Sequence, residues 1–327
     1  MTEKDISLFL HKRGFAVLML MLVALLAWVA FVNGRVEPLG SPLGVGVPAA
    51  RTWISLPFYS LLASVLSTAA IGVLIIWINR AFNVLRSLTL LVASMFFAMQ
   101  AGLPSVLDCF YGGDLMGVLV AVCVGLLFSC YGNDRCQRSV YLIFLIITAA
   151  GFTDMSFLLY LPVFFVGCVQ MRVMSLRTFL AAAMGVITPP WIIFGLGLLN
   201  PATDLHWPRL VMAWKMFDNP EVVQALICTG FTIAVAIFFT VANLLKILSY
   251  NSQVRAYNGF LTLSLIATAL FTALNFNNFS FYVPLLNCLT AYQIAHFFTY
   301  RRTRRSYIPI MLLILAYLGF YAWSLLY

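Results

Sequence analysis

Lys12-Arg13-Gly14-Phe15-Ala16-Val17-Leu18-Met19-Leu20-Met21-Leu22-Val23-Ala24-Leu25-Leu26-Ala27-Trp28-Val29-Ala30-Phe31-Val32-Asn33 is the stretch whose reading decides the fold. After Lys12 and Arg13 it carries no charge as far as Asn33. A helix needs about 20 apolar residues to cross about 30 Å of hydrocarbon, and this run supplies them. A cleavable leader has an apolar stretch of about 7–15 residues and ends at a small-x-small site. This run is longer and lacks that site, so a retained first helix is expected.

The same pattern returns along the chain. Eleven apolar segments read as spans: 14–33, 55–78, 87–103, 113–131, 139–152, 156–171, 178–199, 222–245, 258–274, 280–299 and 306–327. They fill about two thirds of the sequence, and the longest connections, 34–54 and 200–221, leave no room for a soluble domain. The composition agrees: 63% of the 327 residues are hydrophobic and 9% are charged. A soluble enzyme would carry nearer a quarter charged residues, and a disordered chain would be less apolar. A transmembrane β-barrel would show short alternating segments instead of long unbroken runs. The expected architecture is all-α: a polytopic transmembrane helical bundle of about eleven spans. It forms a single integral membrane domain over residues 1–327.

Charge sets the expected orientation. Fifteen of the 19 Lys and Arg residues fall on the N-terminal tail and on every second connection. Arg35, Arg51, Arg209 and Lys215 make up the other set. By the positive-inside rule the N-terminus is cytoplasmic and the C-terminus outside, in an inner (cytoplasmic) membrane. The net charge of +9 is then a topology signal that also suits anionic lipid, and no nucleic-acid partner is expected. Glu37, Asp108, Asp114, Asp154, Asp204, Asp218 and Glu221 fall on the outer side, so polar chemistry is sought there. The inner connections lack a Gly-rich phosphate cradle, which argues against an ATP-driven machine. The seven cysteines and three histidines show neither disulfide nor zinc spacing, and no cofactor or metal is expected.

Three outer connections carry no basic residue: 104–112, 152–156 and 274–280. Asp154 lies about 24 Å of helix from Arg138 and about 27 Å from Arg172, short of a full crossing on both sides. It is expected slightly below the outer hydrocarbon boundary, capping the next helix or facing a wet cavity. Ser156-Phe157-Leu158-Leu159-Tyr160-Leu161-Pro162 echoes Ser280-Phe281-Tyr282-Val283-Pro284, with a proline about one turn into each span. Pro189 and Pro190 predict a kink or break near Thr188. Asn243 and Gln293 are the polar candidates at mid-to-inner depth. Loop 34–54 is rich in Gly and Pro and carries Arg35 and Glu37. In loop 200–221, Trp207, Leu210, Val211, Trp214 and Phe217 follow helical spacing, which predicts an interfacial helix. His206, Arg209 and Lys215 then lie at headgroup level.

The stretch Gly151-Phe152-Thr153-Asp154 to Leu161-Pro162, with Arg177 and Gly185-Val186-Ile187-Thr188-Pro189-Pro190, resembles the central region of an uncharacterised family of multi-spanning inner-membrane proteins from Bacteroidetes. The likeness covers roughly 139–195. In plan the chain is also similar to membrane glycosyltransferases and polymerases that use polyprenyl-phosphate sugars. That similarity implies chemistry at the outer (periplasmic) face. One variant of those enzymes keeps a catalytic carboxylate in a long helical first outer loop. Here that loop is short, and Glu37 is its only acid. The other variant uses basic residues of a long outer loop, a part that His206 and Arg209 would fill.

The expectation is an envelope-glycan glycosyltransferase or polymerase acting on a polyprenyl-linked sugar. Glu37 or Asp154 would act as the catalytic base. Arg35, His206, Arg209, Lys215, Asp108 and Asp114 would contact substrate. A transporter or flippase, expected to show related halves, and a non-catalytic envelope scaffold remain as alternatives. The expected partners are membrane lipid and a polyprenyl-phosphate-linked glycan.

Overall fold

The computed structural model describes residues 10, 12–33, 56–85, 89–133, 135–197, 220–245, 251–300 and 307–326. Among these the chain is helical, with no strand. Eleven helices follow one another: α1 (Arg13–Asn33), α2 (Pro57–Phe82), α3 (Leu91–Ala101), α4 (Gly112–Ser129), α5 (Gln137–Gly151), α6 (Tyr160–Gln170), α7 (Leu176–Gly195), α8 (Pro220–Leu244), α9 (Ser252–Leu274), α10 (Val283–Tyr300) and α11 (Tyr307–Leu326). A one-turn helix, Pro104–Leu107, precedes α4, and 3-10 turns over Met155–Leu159 and Phe276–Tyr282 lead into α6 and α10. Each apolar segment read from the sequence holds one of these helices. Seven of them, α1, α2, α4, α7, α8, α9 and α11, are long and apolar enough to cross a membrane.

Two of the remaining segments, α3 and α10, are apolar for a different reason. Every residue of the eleven-residue α3 is buried. From Val283 to His296, α10 is buried as well. A helix that is apolar all round belongs in a core. At 1.5 Å per residue, α3 spans about 16 Å, half a hydrocarbon layer. It lies against α10, with α1, α2 and α11 packed round α3 and α4, α8 and α9 round α10. The α5–α7 pair joins this centre through α4 and α6. The outer faces carry Met21, Leu25, Val73, Phe238, Leu312 and Leu315, all exposed. Apolar surface on that scale suits lipid, not water.

In lipid, helix association rests on close packing and on hydrogen bonds between helices. Tyr160 and Thr268 hydroxyls meet at 2.9 Å, and Thr232 and Tyr317 at 3.0 Å. The Tyr292 hydroxyl donates to the Ile75 carbonyl at 3.1 Å, and that of Tyr321 to the Leu26 carbonyl at 2.8 Å. Such bonds average about 0.6 kcal/mol each, so packing must supply the rest. Helices α5 and α7 approach backbone to backbone. A Cβ on Gly185 would stand 2.6 Å from the Tyr141 carbonyl oxygen and 2.9 Å from Phe144 Cβ.

Of the kink or break expected at the proline pair, the break does not occur. Helix α7 runs unbroken from Leu176 to Gly195 with Pro189 and Pro190 inside it. Ser175 caps its start in a reciprocal box with Thr178. The Thr188 hydroxyl donates to the Met184 carbonyl at 2.6 Å and accepts from the Tyr141 hydroxyl at 3.4 Å. Packing along α5 and local side-chain bonding hold the helix through the site where propensity alone would end it.

The helix directions segregate charge. Lys12, Arg13, Arg80, Arg135, Arg138, Arg172, Arg177 and Arg255 lie at one end of the bundle, tied together by Gly132 N–H to the Met171 carbonyl and Tyr131 to Ser252. Asp108, Asp114 and Asp154 lie at the other. There Trp28 meets Phe58 edge-on at 6.3 Å and Phe152 meets Phe194 at 5.7 Å.

Gly185→Leu is expected to lower unfolding stability by about 1–3 kcal/mol through overpacking of α5 on α7. A Cβ on Gly230 meets nothing within 4 Å, so Gly230→Leu should be near neutral. Thermal unfolding of the detergent-solubilised variants distinguishes them, and equal midpoints would refute this account of the pair.

Candidate functional site

The three connections without basic residues come together at the acidic end. The Tyr111 hydroxyl donates to the Ser280 carbonyl at 3.1 Å. Phe157 stands edge-on to Phe281 at 5.5 Å. A Cβ on Gly113 would be 2.8 Å from the Phe281 carbonyl oxygen, so only glycine admits that approach. Connections 104–112, 152–156 and 274–280 therefore form one polar seam.

Each wall of the seam has a local cause. Asp154 has extended backbone geometry, and its Oδ1 accepts the Ser156 N–H at 2.8 Å, capping the turn Met155–Leu159. The echoing turn Phe276–Tyr282 runs directly into α10, and Pro284 takes an early helical position where its missing N–H costs nothing. Asn275 Nδ2 donates to the Tyr282 hydroxyl at 3.3 Å. The two similar sequence stretches thus share a 3-10 entry, and their aromatic residues meet.

Asp154 is mostly enclosed. Burial raises its carboxyl above the usual range, and the Ser156 N–H and hydroxyl pull it partly back. The Tyr282 hydroxyl lies beside Asn275, Ser156 and the Asp154 carboxyl. Asp154, Ser156, Asn275 and Tyr282 thus form one electrostatic cluster.

Asp114 borders the same turn from the other side. It is the third residue of α4, is fully buried, and accepts the Tyr111 N–H at 3.4 Å through Oδ2. Ser64 and Ser67 of α2 lie beside its carboxyl. One turn nearer the helix start, the Ser60 hydroxyl accepts the Phe110 N–H at 2.9 Å. Asp108 is half-buried, and its N–H bonds the Pro104 carbonyl at 3.1 Å. Glu37, Arg35, His206, Arg209 and Lys215 lie outside the described residues, as does the expected interfacial helix. The helix ends that flank those stretches, Asn33, Pro57, Gly195 and Pro220, lie at the acidic end. Among the described residues no group of three His, Cys, Asp or Glu side chains is placed to hold a metal ion.

A second polar line runs through the core. Asn287 Nδ2 donates to Gln100 Oε1 at 2.9 Å, linking α10 to α3. Asn243 Nδ2 donates to both the carbonyl and the side-chain oxygen of Gln293 at 2.9 Å, and Gln293 Nε2 donates to Thr262 at 3.1 Å. Asn258 Nδ2 and His296 Nε2 are 3.1 Å apart. Asn243 and Gln293, both singled out in the sequence, are direct partners. Gln100 and Asn287 were missed. Their available signal was the three-residue step Asn287, Thr290, Gln293, His296 in an otherwise apolar segment.

Asp154→Asn tests the burial of that carboxyl. Asparagine caps as well as aspartate but carries no proton equilibrium. The folded wild type holds its proton to higher pH than the unfolded chain does, so it loses stability as pH rises from the ordinary carboxylate range through the raised value. The Asn variant should therefore gain in unfolding midpoint over wild type as pH rises above the ordinary carboxylate range of about 4. A difference that stays constant over that rise would refute the raised value.

No known protein family, curated protein or solved structure matches the chain, so the functional reading rests on the chemistry of this seam.

Proposed function

We propose that this chain is an inner-membrane glycosyltransferase or polymerase that takes a polyprenyl-linked sugar at the outer face of the membrane. In this reading the eleven helical segments are eleven spans or span-like core elements, the N-terminus is cytoplasmic and the acidic end faces outward. The observation that carries the reading is the single seam of Asp108, Asp114 and Asp154 at the end where both longer loops attach. Those loops bring Arg35, His206, Arg209 and Lys215 as donors for a lipid-linked phosphate. Glu37 or Asp154 takes the proton from the acceptor hydroxyl. A carboxyl raised by burial is the better base near neutral pH, which favours Asp154.

A second reading, a carrier for a lipid-linked glycan or small solute, draws on the twin 3-10 entries to α6 and α10 and on the polar line along α10. Short interrupted helices at matching positions mark carrier binding sites. A scaffold without catalysis would need neither feature.

Two experiments test these readings. The first is gene deletion with mass spectrometry of lipid-linked glycans, complemented by wild type, Glu37→Ala, Asp154→Ala and Arg209→Ala. Accumulation of an intermediate on the outer leaflet, unrescued by a point variant that is present at normal level, supports the enzyme. Accumulation on the inner leaflet supports the carrier, and an unchanged glycan profile sinks both. The second is labelling of single cysteines in intact cells by an impermeant maleimide. Glu37→Cys should react and Arg302→Cys should not, and the reverse pattern would invert the orientation.

A further inference from the structure

The groups behind Asp154 can be ordered by where each proton goes. The Asn275 side chain is buried, and its Nδ2 donates to the Tyr282 hydroxyl at 3.3 Å. Tyr282 is fully enclosed, so its own proton needs an acceptor inside the protein. Two hydroxyls lie nearby. The Tyr160 hydroxyl meets Thr268 at 2.9 Å, and Thr268 gives its own proton to the Ser264 carbonyl at 2.7 Å. The Tyr160 proton is therefore committed to Thr268, and Tyr160 acts on Tyr282 only through space. The buried Ser156 hydroxyl is hydrogen-bonded both to the Tyr282 hydroxyl and to the Asp154 carboxyl.

A hydroxyl has one proton to give, and a carboxylate only accepts. Ser156 therefore donates to Asp154 and accepts from Tyr282. The order runs from Asn275 to Tyr282 to Ser156 to Asp154, with every proton pointing at the carboxylate. Hydrogen bonds chained in one direction polarise one another and strengthen the last. Every described Lys and Arg stands at the opposite end of the bundle, so none of them balances the Asp154 charge. Among the described residues the titratable groups that face Asp154 are Tyr282 and, behind it, Tyr160. We propose that Tyr282, acting through Ser156, is a positioning residue that steers a proton onto the Asp154 carboxylate and so keeps it ready to act as the base. In the transfer, Asp154 gains the proton of the acceptor hydroxyl. That oxygen bonds the sugar carbon as the lipid phosphate leaves with its bonding pair. The base role rests on the glycan reading of the seam, and the order of the protons does not.

The test uses the full chain in detergent. Infrared spectroscopy follows, against pH, the protonated-carboxyl band that Asp154→Asn removes. Tyr282→Phe takes away the proton that points at Ser156, so Asp154 should stay protonated to a pH about one unit higher than in wild type. Ser156→Ala should move the titration the same way, and Ser156→Thr, which keeps a hydroxyl, should titrate near wild type. A tyrosine that only fills space would lower the unfolding midpoint and leave the titration where it was. An unmoved or lowered titration in Tyr282→Phe or in Ser156→Ala overturns the assignment, as does a shift in Ser156→Thr as large as that in Ser156→Ala. If Tyr282→Phe does not fold, the two Ser156 variants decide, because the line from Tyr282 passes through that hydroxyl. The glycan reading fails separately: an unchanged glycan profile on deletion sinks it, while a raised Asp154 titration in these variants still upholds the order of the protons.

Discussion

A polar group buried away from water must find its partner inside the protein, and the α3–α10 contact meets that demand for the Asn287 amide nitrogen and the Gln100 side-chain oxygen, while Gln100 Nε2 is left without a partner. Gln100 and Asn287 are both fully enclosed, and each would be costly alone. Their hydrogen bond fixes the depth of α3 against α10. The other helices take position from that pair, with α1, α2 and α11 lying round one member and α4, α8 and α9 round the other. The 3-10 turn Phe276–Tyr282 enters α10 directly, so the register of the central pair also sets where the seam forms.

Much of the fold was legible because apolar length is a strong signal. Every apolar run became a helix. What the runs did not reveal was the use each helix makes of its apolar surface. The α3 and α1 segments look alike in composition, yet α3 is enclosed on all sides and α1 exposes Met21 and Leu25. Hydropathy reports transfer out of water and does not distinguish lipid from protein as the destination. At the proline pair a kink or break was expected; the helix does not break there, and it packs closely on α5 at Gly185.

The site was legible in parts. Connections 104–112, 152–156 and 274–280 were marked by their lack of basic residues, and they do converge. Asp154 was expected to cap the next helix or to face a wet cavity, and its carboxylate caps the turn Met155–Leu159. The serines of α2 were invisible, because a serine in an apolar helix ordinarily bonds its own backbone and leaves no pattern. Only the approach of Asp114 from another helix gives Ser64 and Ser67 a meaning. Long-range juxtapositions of this kind lie beyond any periodicity read along one chain.

The central pair also bears on biogenesis. Gln100 and Asn287 are 187 residues apart. At about 5–20 residues per second, the ribosome needs roughly 10–40 seconds to deliver α10 after α3 has emerged. During that interval α3 is too short to stand as an independent span, and its amide has no Asn287 to meet. The nascent chain must shelter α3 against α1 and α2, or hold it at the translocon, until synthesis is nearly complete. A truncation that removes α10 would leave the half-length α3 without the partner of its buried amide.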